Sequence, residues 1–186
     1  MIKLTKLKIF IISITILTLI CAFVISYKYV EQNSKLNLAQ TFKNINLITH
    51  NKQKLSELSL QGHPNLLFFG FTHCPEVCPT TLGNLQNILE KVDKNNRKIK
   101  IIFVTLDPER DTRENLNHYL DGFGKNVIGL TGEIDEISKL AKNWNVYWEK
   151  IESEKDNYNI NHTATVFMLD NNGDFAGTIA WGENES

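Results

Sequence analysis

Cys74 and Cys78 stand four residues apart in the segment Gly70-Phe71-Thr72-His73-Cys74-Pro75-Glu76-Val77-Cys78-Pro79-Thr80-Thr81-Leu82. An apolar run precedes this segment and a helical pattern follows it, so both sulfurs sit at the start of a helix. Unpaired N–H groups and a partial positive charge gather there, and they favour anions. A cysteine in that place has its thiolate stabilised and its pKa lowered. Pro75 stiffens the loop between the sulfurs, and Pro79 suits a first helical position, where an N–H is not needed. Two such thiols can serve as a structural disulfide, a redox pair or soft metal ligands. Thiolates select Cu(I), zinc or iron–sulfur clusters, and two of them leave a metal site incomplete.

A third donor must come from elsewhere, and imidazole is the natural type for copper in either oxidation state. The chain holds five histidines. His50 lies in a turn-like Thr49-His50-Asn51-Lys52, and His63 precedes Pro64. His118 falls in a polar helix. These three read as surface residues. His73 adjoins Cys74, but neighbouring side chains point apart. His162 precedes the apolar stretch Ala164–Leu169 and reads either as a ligand at its mouth or as an ordinary strand-edge residue. Spacing alone leaves the choice open.

The elements that hold these residues follow from apolar patterning. Asn65–Phe71 and Lys100–Leu106 are continuous apolar runs of the kind found in buried strands. Leu82, Leu85, Ile88, Leu89 and Val92 recur at helical spacing and predict a helix over Thr80–Asp93. Thr112 caps a helix over Arg113–Tyr119. A short strand over Asn126–Leu130 and a helix marked by Ile134, Ile137, Leu140, Ala141 and Trp144 follow. Val146–Ile151, Ala164–Leu169 and Phe175–Trp181 read as strands, the last two joined by the turn signal Asp170-Asn-Asn-Gly-Asp174. The order β–α–β–α, a further helix and a terminal hairpin is an α/β arrangement of the thioredoxin type.

At the other end, Ile9–Tyr27 is uncharged and rich in Ile, Leu, Phe and Val, just long enough to cross a bilayer. Its Ser and Thr hydroxyls can bond back to their own helix. Lys3, Lys6 and Lys8 before it, against Lys28 after it, place the N-terminus in the cytoplasm and the remainder outside. The segment is longer than a signal-peptide core and lacks a small-x-small site near Tyr27. Ile20 before Cys21 departs from a lipid-attachment motif, so Cys21 reads as a small hydrophobe. The expected organisation is a cytoplasmic end at 1–8, an anchor at 9–27, a polar linker at 28–40 and a folded domain at 41–186. With 42% hydrophobic residues there is material for a core, and a net charge of −1 offers no field for nucleic acid. The basic run from Lys91 to Lys100 reads as a solvated helix end and loop.

Three stretches together resemble the Sco/SenC family of copper proteins of cytochrome c oxidase assembly. They are Phe69–Pro79, Val104-Thr-Leu-Asp-Pro-Glu-Arg-Asp-Thr112, and Asn161-His-Thr-Ala-Thr-Val-Phe-Met-Leu-Asp170. The resemblance implies a thioredoxin-like fold behind an N-terminal transmembrane anchor and copper, Cu(I) or Cu(II), held by Cys74, Cys78 and His162. It implies a metallochaperone that delivers copper to the binuclear site of cytochrome c oxidase subunit II, a role with which thiol–disulfide reduction of that site's own cysteines is compatible. Other copper chaperones or thiol–disulfide proteins are the implied further partners. The implied location is the bacterial inner membrane, single-pass, with the domain facing the periplasm. Asp107 matches a family position near the site. Two departures stand out: Asn161 replaces the usual Asp before the histidine, and the chain stops at Ser186, where the family usually continues into a helix.

Two other chemistries compete. A thiol–disulfide oxidoreductase would use Cys74 and Cys78 in turn, with a disulfide between them as its oxidised state. Oxidoreductases of the thioredoxin type instead carry Cys-x-x-Cys and a proline facing it, whereas the prolines here are Pro64, Pro75, Pro79 and Pro108. A peroxide reductase would pair an activated cysteine with Thr and Arg; Thr72 is near, but no arginine precedes it.

Overall fold

The computed structural model describes residues 2–34, 37–53, 60–93, 98–153 and 157–180. The chain forms two compact units, Met1–Lys35 and Leu36–Ser186. The first is a single helix, α1 (Ile2–Ser34). Within it Phe10–Tyr29 has a mean hydropathy of 2.5, long and apolar enough to cross a membrane. Ser13, Thr15 and Thr18 donate to carbonyls three residues earlier at 2.8–2.9 Å. Their hydroxyls are thus satisfied within the helix, as lipid requires. The helix runs past Tyr27, over part of the stretch expected to be a linker.

The second unit is built on a six-stranded sheet of order β1-β4-β3-β2-β7-β8. Its strands are β1 (Leu47–Thr49), β2 (Asn65–Gly70), β3 (Lys100–Thr105), β4 (Val127–Gly132), β7 (Thr165–Leu169) and β8 (Phe175–Ala180). β2, β3 and β4 are parallel, and β1, β7 and β8 join antiparallel to their neighbours. The two apolar runs become the central strands β2 and β3, where both faces are covered and no polar alternation is needed. The helices are α2 (Leu38–Phe42), α3 (Val77–Val92), α4 (Arg113–Leu120) and α5 (Ile134–Asn143). Phe103 pairs with Phe68, and Phe167 pairs with Leu67 one position away. Successive side chains alternate across a sheet, so Phe103 and Phe167 point to opposite faces. Phe103 meets Tyr119 of α4 at 6.0 Å, and Phe167 meets Trp144 at the end of α5 at 5.2 Å. Helices therefore cover both faces. Thr112 caps α4 as expected, accepting from the Asn115 N–H.

Several boundaries differ from expectation. α3 begins at Val77, not Thr80, so Cys78 is helical and Pro79 takes the third position, still within the turn whose N–H groups lack helical partners. Leu38 and Thr41 are buried. The Leu38 N–H donates to Gly173 at 2.7 Å, and Trp144 Nε1 donates to Thr41 Oγ1 at 3.0 Å. The end of the expected linker is thus part of the folded unit, because Leu38 supplies core surface. β5 (Trp148–Ser153) is shifted from the expected Val146–Ile151. It pairs with β6 (Asn157–His162) in a separate two-stranded sheet. The residues at 94–97 within the basic run, and 181–186 including the expected strand end at Trp181, lie outside the described residues.

Candidate metal centre

The cysteine loop leaves β2 at Gly70, against which the Cys78 sulfur is packed. A Cβ at position 70 would lie 2.9 Å from Cys78 Sγ and 2.9 Å from Phe103 Cε2. Glycine is required there because the sulfur approaches the backbone itself. Beyond Gly70 the loop is pinned by Asp111, whose buried carboxylate accepts from the Thr72 N–H at 2.9 Å and from Thr72 Oγ1 at 2.5 Å. Thr105 Oγ1 at the end of β3 also donates to it, at 2.6 Å. Burial pushes the Asp111 pKa up, while the bonds from Thr105 and Thr72 oppose that rise.

Cys74 and Cys78 are both free thiols, the first half-buried and the second fully buried. The Cys78 N–H, at the start of α3, donates to Cys74 Sγ at 3.3 Å. The Cys74 pKa is lowered to about 4. The Cys78 thiol donating to it is the largest cause, with His162 and the Cys78 and Glu76 N–H groups adding to it against the opposing effect of burial. Cys78 moves the other way, since its proton is the one donated and burial disfavours a second anion. The pair thus carries one negative charge, on Cys74, at neutral pH.

His162 closes the group from the far side as the last residue of β6. Its Nδ1 lies 3.0 Å from the Thr163 carbonyl oxygen. A carbonyl only accepts, so Nδ1 carries a proton, which leaves Nε2 as the ring nitrogen turned toward the cysteines. Nε2 lies 3.9 Å from Cys78 Sγ, and the ring packs edge-on against Phe71 at 5.9 Å and 82°. A cleft of about 250 Å³ lined by Phe71, Cys74, Pro75, Val77, Ile160 and His162 opens beside them. His162 Nε2 is thus beside the Cys78 sulfur, and Cys74 and His162 line the same cleft. Two sulfurs and one imidazole form a soft donor set that fits copper.

The other histidines lie elsewhere. His73 is exposed and its Nδ1 faces Thr72 Oγ1 at 3.1 Å and Asp111 Oδ1 at 3.8 Å. With Asp107 and Asp111 it forms a group whose ligand atoms lie within 4.8 Å of one another, but Asp107 is already paired with Arg110, whose Nε donates to it at 2.5 Å. His118 is exposed on α4 and His63 faces Pro64 O. His50, expected at the surface, is half-buried instead, because its Nδ1 accepts the Gly129 N–H at 2.9 Å. Asn161 is exposed and pairs across the hairpin with Glu149.

Sequence reasoning passed over β6 and with it Tyr158, as well as the Thr72–Asp111–Thr105 cluster. A signal for β6 was present: Asn157, Asn159 and Asn161 alternate with Tyr158, Ile160 and His162, the period of a half-buried strand. Asparagine's depletion in strands masked it. The Thr72–Asp111 contact joins residues 39 apart and had no local signal.

Residues 31–186 match the model of the SCO1/SenC family. The chain belongs to the SCO1/SenC family. An SCO2-like protein of Rickettsia prowazekii is 37% identical over 129 residues, covering 68% of this chain and 63% of that protein. The mitochondrial SCO1 homolog 1 of Arabidopsis thaliana is 35% identical over 124 residues, covering 66% of this chain and 37% of that protein. The match therefore spans under two thirds of the length of either relative. Among solved structures, Bradyrhizobium japonicum ScoI with copper bound superposes with a TM-score of 0.70 at 35% identity, covering 75% of this chain and 89% of that one. This SCO1/SenC chain thus has the family's thioredoxin-like fold, preceded by a helix fit to be a membrane anchor.

Proposed function

We propose that this protein is a membrane-anchored copper metallochaperone that holds one copper ion on Cys74, Cys78 and His162. The observation that carries the reading is the place of His162, whose Nε2 lies 3.9 Å from the Cys78 sulfur and which lines one cleft with Cys74, itself held toward the thiolate form. Binding displaces the remaining thiol proton from Cys78 to solvent, so affinity weakens as pH falls through the ligand titrations. Cys74 is the more exposed sulfur, and the site faces a cleft. Release then proceeds by ligand exchange: an incoming cysteine thiolate bonds to copper as the Cys74 bond breaks, with no change in copper oxidation state. The recipient in this reading is the binuclear copper site of cytochrome c oxidase subunit II, with other copper chaperones or thiol–disulfide proteins as further partners. The lysines at 3, 6 and 8 retain the N-terminus in the cytoplasm and place the domain in the periplasm.

A second reading, thiol–disulfide exchange, is favoured by the same asymmetric pair. The Cys74 thiolate attacks a partner disulfide and releases one partner thiolate. Cys78, losing its proton, then displaces the other, which leaves the partner reduced and a Cys74–Cys78 disulfide here. Copper titration of the full chain in detergent, beside His162→Ala and a Cys74/Cys78 double variant, separates the two. Wild-type affinity and spectra in His162→Ala would sink the three-ligand site. Rapid reduction of generic disulfides without copper binding would favour exchange.

A further inference from the structure

The β5–β6 hairpin that bears His162 is not part of the main sheet; its strands pair with each other. Something else must hold its imidazole against the sulfurs. Tyr158, Ile160 and His162 share one face of β6, since side chains repeat every second residue. Ile160 is buried, which supplies packing without setting a direction. Tyr158 makes directional contacts to the Asp107–Asp111 turn, beside an exposed Lys150–Glu109 ion pair from β5 at 2.7 Å. Its hydroxyl donates to Asp107 Oδ1 at 2.5 Å, and Arg110 Nη1 donates to its carbonyl at 3.0 Å. The Arg110 guanidinium lies 3.6 Å from the ring centroid, while its Nε donates to Asp107 Oδ2.

The turn that receives Tyr158 is itself rigid. The Asp107 N–H donates to Thr105 Oγ1 at 2.9 Å, and the Asp111 N–H donates to Asp107 O at 2.8 Å. Asp111, four residues after Asp107, is the group that pins Thr72 of the cysteine loop. One turn, Asp107 to Asp111, thereby grips both ligand-bearing segments: the cysteine loop through Asp111 and the histidine hairpin through Asp107.

We infer that Tyr158 is a positioning residue which, through Asp107 and Arg110, sets the place of His162 relative to the Cys74 and Cys78 sulfurs. It touches no copper; it acts through the hairpin. This rests on the three-donor reading above. Tyr158→Phe keeps the ring and its contact with Arg110, and removes the hydroxyl and its bond to Asp107. Groups that orient a metal ligand typically contribute about 10–100-fold in metal affinity, so Tyr158→Phe should weaken copper binding into that range.

The test uses the full chain in detergent with four forms: wild type, Tyr158→Phe, His162→Ala and the double variant. Cu(I) affinity is read by competition with a chromogenic chelator, and amide hydrogen exchange of the β5–β6 pairing is read in the metal-free protein. Tyr158→Phe should weaken copper in the wild-type background and add nothing once His162 is gone. It should also speed exchange at the hairpin amides while the exchange of β2 and β3 stays as in wild type. Equal weakening in both backgrounds overturns the inference, since the effect would not pass through His162. Unchanged hairpin exchange overturns it as well. If His162→Ala itself leaves affinity untouched, the three-donor reading fails, and the exchange result then decides the positioning claim by itself.

Discussion

The asymmetric cysteine pair has a consequence that can be measured without copper. Reduced protein, in a Cys21→Ala background, is mixed with a small aromatic disulfide at pH 4 to 8 and the released thiol is followed by absorbance. An ordinary cysteine titrates near 9.0, whereas Cys74 titrates at about 4. At pH 5 an ordinary thiol is ionised to roughly one part in 10,000 and Cys74 to about 90%. A thiolate of low pKa is intrinsically less nucleophilic, and a Brønsted slope of about 0.4–0.5 returns roughly 100–300-fold of that gain. Cys74 should therefore react roughly 30–100-fold faster than a free cysteine at pH 5, and its rate should level off above about pH 5 instead of climbing to 9. Cys78, with no exposed surface, should not react first; it should displace the second thiol as the internal disulfide closes. Because the Cys78 thiol is the largest cause of the shift, Cys78→Ala should move the Cys74 titration upward and slow it at pH 5. A rate profile with its inflection at 8–9, or first labelling at Cys78, would refute this assignment of charge.

Two further outcomes follow from packing and burial. Gly70→Ala brings a methyl group to 2.9 Å from both Cys78 Sγ and the buried Phe103 ring, an overpacking that should cost about 1–3 kcal/mol and weaken copper binding. Gly83→Ala in α3, with nothing within 4 Å, should instead gain roughly 0.5–1 kcal/mol; urea unfolding followed by tryptophan fluorescence reads both. Burial, with the Asp121 carboxylate opposing it, holds His50 below its usual 6.5. The unfolded chain therefore takes up this proton first, and the contribution to stability is complete above about 6.5 and lost as pH falls below it. The Cys74 thiolate acts in the same direction over a wider span, so the check is a comparison: the urea midpoint should fall less between pH 7 and 5.5 in His50→Gln than in wild type.

The parts of this protein that were legible in its sequence are those whose physics is local. An uncharged apolar stretch between lysines dictates a helix fit for a bilayer. Asn65–Gly70 and Lys100–Thr105 have no polar alternation because both their faces are covered, and the period of Leu82, Leu85 and Leu89 dictates the helix between them. Cys74, just before that helix, meets its first N–H groups by local geometry alone. Local signals failed where a residue's role depends on a distant partner. Leu38 looked like part of a linker until α5 and Gly173 gave it a place in the core. His162 was one histidine among five by spacing, raised above the others only by family resemblance. Its direction is decided by a hairpin outside the main sheet and by a Tyr158–Asp107 bond between residues 51 apart. Periodicity and caps encode which elements form, because they act within a few residues. Only packing decides which side chains meet, because the free energy of that choice is shared among strands and turns far apart in the chain.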